Sequence, residues 1–389
     1  MTTDQIVHSY LKMFGLEYWP DNFLSADEKN YIVDCLTGKE EKSNSSRDEW
    51  GNWDAKFSKY NYAVPYLDQL ISKKIKQHQL AKTAVWPGER KFAFCLTHDL
   101  DVISANDYRQ LHRRYQKYFD SEPTLSGKFR HAPYLLYTLL KSLLKPVHND
   151  KLWQFEKWTD LERTFGFRST YYIYAADKNL HKFDCDYRFN DAIVYRGVKM
   201  KVSDYIVKVA EEGNEIGLHG SYNTFNDADL FISQLDNLKK ITGSEITTTR
   251  QHFLHYDIYK TPAVHRKAGV KTDSTLGFNC ASGFRAGTSM PYFLAEGILE
   301  VPMHIMDGAL FNENSHNFNE TQAKTKVVEI IDSVEEVGGC LVINFHPNYL
   351  DRTAWWNTYV FLLEELHSRN AWCGSMEGIY KIALDKCAE

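Results

Sequence analysis

The 389-residue sequence lacks a net positive charge: 46 Lys and Arg face 51 Asp and Glu, leaving −5. That balance excludes a chain built mainly as a basic coat for nucleic acid. No uninterrupted apolar run approaches the roughly 18 residues that a membrane-crossing helix requires. The most apolar helical candidate, 134–144, is broken by Lys141. The first 15 residues hold no continuous apolar core either, because Asp4, His8 and Lys12 interrupt a helix-like pattern. The seven cysteines, at 35, 95, 185, 280, 340, 373 and 387, are odd in number and include no Cys-x-x-Cys pair. A disulfide framework and a cysteine-built zinc knot are therefore disfavoured, and a reducing cytoplasm is the expected compartment. There is no internal repeat and no long low-complexity tract. What is present is ordinary globular composition, 43% hydrophobic and 25% charged.

Residues 1–88 read as a mostly helical accessory region, with a helix over 64–81 and one polar, linker-like stretch at 38–51. Trp86-Pro87-Gly88 punctuates the chain, and 89–389 then read as one barrel-sized unit. Strands are predicted at 92–97, 169–175, 215–219, 247–253, 269–275, 298–303 and 340–346. Helices at 201–212, 227–241, 261–267 and 321–337 alternate with them, the pattern of a parallel α/β architecture. The segment 105–160 is long for a single connection and reads as a helical insertion, basic at Arg109, Arg113, Arg114 and Lys117. Without it, the remainder approaches the roughly 250 residues of one (β/α) barrel.

The polar residues fall in a telling place. Five predicted strands end in side chains able to do chemistry: His98-Asp99-Leu100-Asp101, His219-Gly220-Ser221-Tyr222-Asn223, Arg250-Gln251-His252, Asp273-Ser274-Thr275 and His346-Pro347. In a parallel barrel the carboxyl ends of the strands meet at one rim, where active sites sit. Alternation puts Thr97, Asp99 and Asp101 on one face of their strand and His98 on the other. Two carboxylates so close repel unless a proton or cation intervenes. A divalent metal on Asp101 and His219 would relieve this, leaving Asp99 to accept a proton from water. His346 would then protonate a leaving group, and Arg250 or Arg285 would hold Asp99 charged or bind a substrate oxyanion. Each feature alone has a plain structural reading: a strand-end Asp-x-Asp caps a loop, and His-Pro ends a strand. His255, His265 and His304 are read as structural or surface residues. Joint placement on five strands favours a site.

On these residues the chain resembles the polysaccharide deacetylase superfamily, the NodB-like or carbohydrate esterase family 4 group, over about 90–385. Thr97-His98-Asp99-Leu100-Asp101 resembles its first motif in an Asp-x-Asp variant, and Leu218-His219-Gly220-Ser221-Tyr222-Asn223 its second. Arg250, Asp273 and Asn344-Phe345-His346-Pro347 resemble the third, fourth and fifth. The runs Asp273-Ser-Thr-Leu-Gly-Phe278 and Gly283-Phe-Arg-Ala-Gly-Thr288 resemble a bacterial subgroup with a long N-terminal extension. The resemblance implies a distorted (β/α) barrel, Asp99 as catalytic base supported by Arg250, Asp273 as a further catalytic residue and His346 as general acid. It implies Asp101 and His219 as metal ligands. Where the family places a second metal-binding His, this chain has Asn223, a poorer ligand for zinc than imidazole, and His252 is the alternative. Tyr222 and Arg285 are expected at the substrate.

The function expected is metal-dependent hydrolysis of an acetyl or formyl group from an amino sugar, in surface-polysaccharide or glycan-precursor metabolism. Zinc is the first expected metal, with nickel, cobalt or manganese as alternatives. The partner is an acylated sugar, without nucleic acid or a transmembrane segment. Two other readings stand beside it: a catalytically silent carbohydrate-binding barrel, and a hydrolase of a small non-sugar C–N bond.

Overall fold

The computed structural model describes residues 1–388 except 106, 131, 134, 135, 138, 139, 141–149, 179, 180, 295 and 296. Its strands are β1 (Ala93–Leu100), β2 (Ser169–Tyr174), β3 (Ala192–Tyr195), β4 (Val198–Lys201), β5 (Glu215–Gly220), β6 (Thr248–Gln251), β7 (Thr272–Asp273), β8 (Tyr292–Phe293), β9 (Leu299–Glu300), β10 (Ile305–Met306), β11 (Cys340–Asn344) and β12 (Trp372–Cys373). One sheet runs β10-β11-β1-β2-β5-β6-β7-β9-β8, with β12 paired to the start of β1. All its pairings are parallel except β8 with β9. The sheet curls into a half-barrel surrounded by helices, a distorted (β/α) barrel.

Strands β1, β2 and β11 are buried along their whole length, so both faces must be covered. The helices Glu320–Val337 and Thr353–Ser368 pack on each other and on β11, putting Val327, Ile331, Leu362 and Leu363 into one cluster with Phe94 and Ile343. Asn319 and Gln322 close a capping box at the first of these, and Gly338 ends it in the left-handed conformation.

Three strands are shorter than predicted. β9 stops before Pro302, which has no N–H to give a ladder. β7 keeps two residues, and β6 ends at Gln251 because the backbone turns sharply after it. The pattern also gave no sign of the β3–β4 hairpin, whose two-residue turn holds Arg196 at φ 52° and Gly197 at φ 73°. Positive φ at both turn residues matches the twist of the flanking strands.

Before the barrel lie α1 (Thr3–Lys12), α2 (Ala26–Leu36), α3 (Lys39–Ser43) and α4 (Tyr66–Gln77). Their apolar faces join one cluster with the barrel: Tyr10, Phe14 and Ile71 pack together with Cys95, Leu299 and Val342. Buried Asp68 ties the two together, accepting from Tyr10 Oη at 2.6 Å and from Ser289 N and Oγ, each at 2.7 Å. Within 105–160 lie α5 (Tyr108–Ser121) and α6 (Leu125–Arg130). The next, α7 (Glu156–Thr164), carries Glu162, which bonds β1 through His98 and so belongs to the barrel wall.

Candidate active site

β1 positions the first group. His98 points outward, its ring nitrogens at 2.6 Å from Phe345 O and from Glu162 Oε1, and is a wall residue. Thr97 and Asp99 point inward, as strand alternation requires. Arg250, fully buried on β6, reaches both: Nη1 donates to Thr97 Oγ1 at 2.7 Å and to Asp99 Oδ1 at 2.9 Å. Its Nε and Nη2 donate to Ser274 O and Ser274 Oγ, and its guanidinium lies 4.5 Å from the Tyr172 ring centroid. Arg250 thus holds Asp99 and, fully buried, does not line the cavity where a substrate oxyanion would sit. Asn344, at the end of β11, donates from Nδ2 to Asp99 Oδ2 at 2.9 Å and accepts the Asp99 N–H. Burial raises the Asp99 carboxyl, but Arg250, then His219 and His346, outweigh it and hold it below the usual range.

Asp101, His219 and His252 converge beside it, with ligand-type atoms within 4.8 Å of one another. His219 Nδ1 lies 2.9 Å from Arg250 O, which as an acceptor fixes the proton on Nδ1 and leaves Nε2 with a free lone pair. That Nε2 is 3.3 Å from Asp101 Oδ1, and His252 Nε2 is 3.5 Å from the same oxygen. Bonds of about 2.0–2.1 Å at tetrahedral angles place ligand atoms about 3.3 Å apart. Two imidazoles and one carboxylate at this spacing therefore fit a single divalent cation. Asn223 lies in the turn Tyr222–Phe225 after β5 and is not among the residues that line the cavity. The structure brings His252, not Asn223, to Asp101 and His219.

His252 arrives by an unusual backbone path. Phe253 and Leu254 both have positive φ, 57° and 52°, costly for residues with a side chain. The kink is pinned from two sides: Phe253 O accepts from Asn52 Nδ2 at 2.7 Å and from Asn279 Nδ2 at 2.9 Å. Trp50, two residues before Asn52, stacks on Phe253 and lines the cavity, so the N-terminal region builds part of this wall.

His346 closes the group. Its Nε2 is 3.5 Å from Asp101 Oδ2, and its Nδ1 is 2.7 Å from Oδ1 of buried Asp307. Asp307 Oδ2 also accepts the His346 backbone N–H at 2.6 Å. Burial lowers the His346 imidazole, yet Asp307 outweighs that and pushes it up to about 10. Asp307 went unread in the sequence because it follows a strand of only two residues, β10, with no apolar run to announce it.

Three expected residues stand elsewhere. Asp273 accepts from Thr275 N at 3.0 Å and Thr275 Oγ1 at 2.5 Å, and lies 3.0 Å from His265 Nδ1; it ties the end of β7 to the helix Thr261–Lys267 and does not line the cavity. Arg285 is buried in a two-pronged pair with Glu41 of α3, at 2.9 and 2.8 Å, so it locks the N-terminal region to the barrel and does not meet substrate. Tyr222 is stacked between His181 and His255, at 4.2 and 4.1 Å, with its hydroxyl on Trp50 O. Of the remaining histidines, His304 is buried and lowered by that burial to about 4.

The cavity over the group holds about 170 Å³ and is lined by Asp99, Asp101, His219, His252 and His346 with Trp50, Met306 and Tyr349. A second lobe of about 470 Å³ opens off it past Asp101, His252 and Tyr349. That lobe is lined by Arg114, Lys117, Lys182 and Arg352, and by Cys185, whose Sγ is 3.9 Å from Asp101 Oδ1.

Neither a protein-family model nor a curated protein matches the sequence. Solved structures do match it. A protein described as a polysaccharide deacetylase from Mycobacterium smegmatis aligns over 77% of this chain and 93% of its own, with TM-score 0.51 and 15% identity. One so described from Pseudomonas aeruginosa PAO1 aligns over 79% and 96%, with TM-score 0.51 and 15% identity. The Puue allantoinase aligns over 79% and 95%, with TM-score 0.50 and 14% identity. The fold of this chain is thus the distorted (β/α) barrel of the polysaccharide deacetylases, shared with that allantoinase.

Proposed function

We propose that the protein hydrolyses an acetyl or formyl group from the nitrogen of an amino sugar, using a divalent cation. The observation that carries this reading is the convergence of Asp101, His219 and His252 between a held carboxylate, Asp99, and a held imidazole, His346. A cation on the three ligands, zinc being the first choice for two imidazoles and a carboxylate, would polarise the acyl carbonyl and acidify a water. Asp99 takes a proton from the attacking water; Arg250 and Asn344 keep its oxygens aimed and charged. His346 gives a proton to the nitrogen as the C–N bond breaks, with Asp307 fixing its ring. The products are a carboxylate and a free amine.

The small first chamber suits one acylated sugar ring, and the wider lobe beside it suits the rest of a glycan precursor. A precursor in surface-polysaccharide assembly, met in the cytoplasm, is our choice of substrate class. The test is to quantify bound metal in wild type, D101A and H219A, and to measure acetate or formate released from acylated amino sugars. Turnover that survives complete chelation would overturn the metal mechanism. Metal binding without any turnover would favour a sugar-binding barrel.

A second reading has one observation behind it. The fold is shared equally with an allantoinase, and the first chamber has room for a compact ureide. Ring opening of a cyclic ureide without release of acetate from any sugar would select it.

A further inference from the structure

The region between Pro123 and Asn149 is unlike the rest of the chain. It contains Lys128, Arg130, Lys141 and Lys145 and no Asp or Glu, in a protein whose net charge is −5. Its described apolar side chains are turned outward: Leu125, Phe129, Leu136, Tyr137 and Leu140 are 50 to 75% exposed. Leu125 and Phe129 lie four apart within α6 and share a helix face, and Leu136, Tyr137 and Leu140 are helical as well. Burying such side chains is worth more than leaving them in water, so a cluster of them on the surface needs a partner.

The base of the insertion is firmly tied down. Arg113 of α5 pairs with Asp191, and Arg114 and Lys117 pair with Asp186 at 2.6 and 2.7 Å. The cations farther along are not engaged in this way: Lys128 and Arg130 form no ion pair among the described residues, and Lys128 lies over the Phe119 ring. A tethered base with an apolar, cationic tip is the composition of an element that lies in a membrane interface, with apolar groups among acyl chains and cations at lipid phosphates. A soluble polyanion would call for the cations but not for Leu and Phe. Lys128, Arg130, Lys141 and Lys145 keep every apolar run in this stretch well short of the roughly 18 residues that a crossing helix requires, so the element would lie on the surface.

We propose that the exposed apolar side chains of Leu125, Phe129, Leu136, Tyr137 and Leu140 together seat the protein on a bilayer that contains anionic lipid. Its position has a purpose. α5 supplies Arg114, Lys117 and Tyr118 to the second lobe of the cleft, and α6 begins four residues beyond its end. A molecule anchored in the membrane at this face would meet the cleft mouth. The docking proposal concerns where the protein sits and stands apart from the reaction proposed above.

The test is sedimentation of the full chain with phosphatidylcholine vesicles, with and without phosphatidylglycerol. Wild type is expected to pellet with the anionic vesicles and far less with the neutral ones. F129E/L136E is expected to lose binding by roughly tenfold or more, and K128E/R130E to lose the preference for anionic vesicles. Both should keep the wild-type melting temperature and hydrolysis of a soluble acylated amino sugar. If the glutamate pair fails to fold, F129S/L136S replaces it. The proposal fails if wild type stays in the supernatant with anionic vesicles, or if the apolar variant pellets as wild type does. It fails equally if the same variant abolishes a dimer that shows no vesicle binding, which would assign the face to a second copy of the chain.

Discussion

Asp307 Oδ1 lies 2.7 Å from His346 Nδ1, and its other oxygen holds the backbone N–H of the same histidine. One buried carboxylate therefore sets both the place of the histidine and the face its ring presents. Removing it in D307A should leave metal content intact, because Asp307 touches none of the three ligands. Turnover of an acylated amino sugar should fall on the order of 100-fold or more, the usual worth of a placed acid. The check is kcat measured beside metal stoichiometry; an equal loss of both would point to a collapsed site.

His252 and Asn223 offer a clean contrast. H252A should lower metal affinity by at least 100-fold, whereas N223A should stay within about twofold of wild type. Competition with a chromophoric chelator reads this directly. Loss of metal in N223A alone would reverse the assignment.

Arg285 and Glu41 should govern stability and not substrate affinity. Their pair is buried and two-pronged, so R285A leaves Glu41 without its partner and should cost about 3–5 kcal/mol in urea unfolding. KM, measured on the fraction still folded, should not change. A raised KM at unaltered stability would put Arg285 back at the substrate.

Glu300 on β9 faces Asp273 on β7 in register. Burial first, then the Asp273 charge, push its carboxyl well above the usual range. The folded state therefore keeps a proton that the unfolded chain releases near pH 4.3 or so. With the folded value raised, the contribution is complete below the unfolded value and is lost as pH rises toward the folded one. Wild type should lose stability relative to E300Q over the interval in which pH rises above the unfolded value of about 4.3. Parallel unfolding free energies for the two proteins over that interval would remove Glu300 as the source.

Much of the site could be read before any coordinates because strand ends are where apolar runs stop. Asp99, Asp101, His219 and His346 each follow such a run, Arg250 follows a β-branched Thr247-Thr248-Thr249, and the barrel brings them to one rim. Asp307 escaped because β10 spans two residues. His252 stood two residues past Arg250, but its route into the site is a kinked turn and not a continuation of the strand. Arg285 was misplaced because a sequence does not reveal that its partner is Glu41, 244 positions earlier. The β3–β4 hairpin went unseen because Arg196-Gly197 is a weaker turn signal than Asn-Gly.

The Phe253 kink joins metal site and N-terminal region in one thermodynamic cycle. Asn52 helps to hold the strained backbone that delivers His252, so the two ends of that link must favour each other by equal factors. Whatever strips the cation should loosen the polypeptide around Trp50 and Asn52, making it easier for a protease to cut. In return, a substitution that unseats that stretch should weaken cation binding without touching a single ligand. Through Trp50 and Asn52 the N-terminal region would in this sense be a grip on the proposed cation.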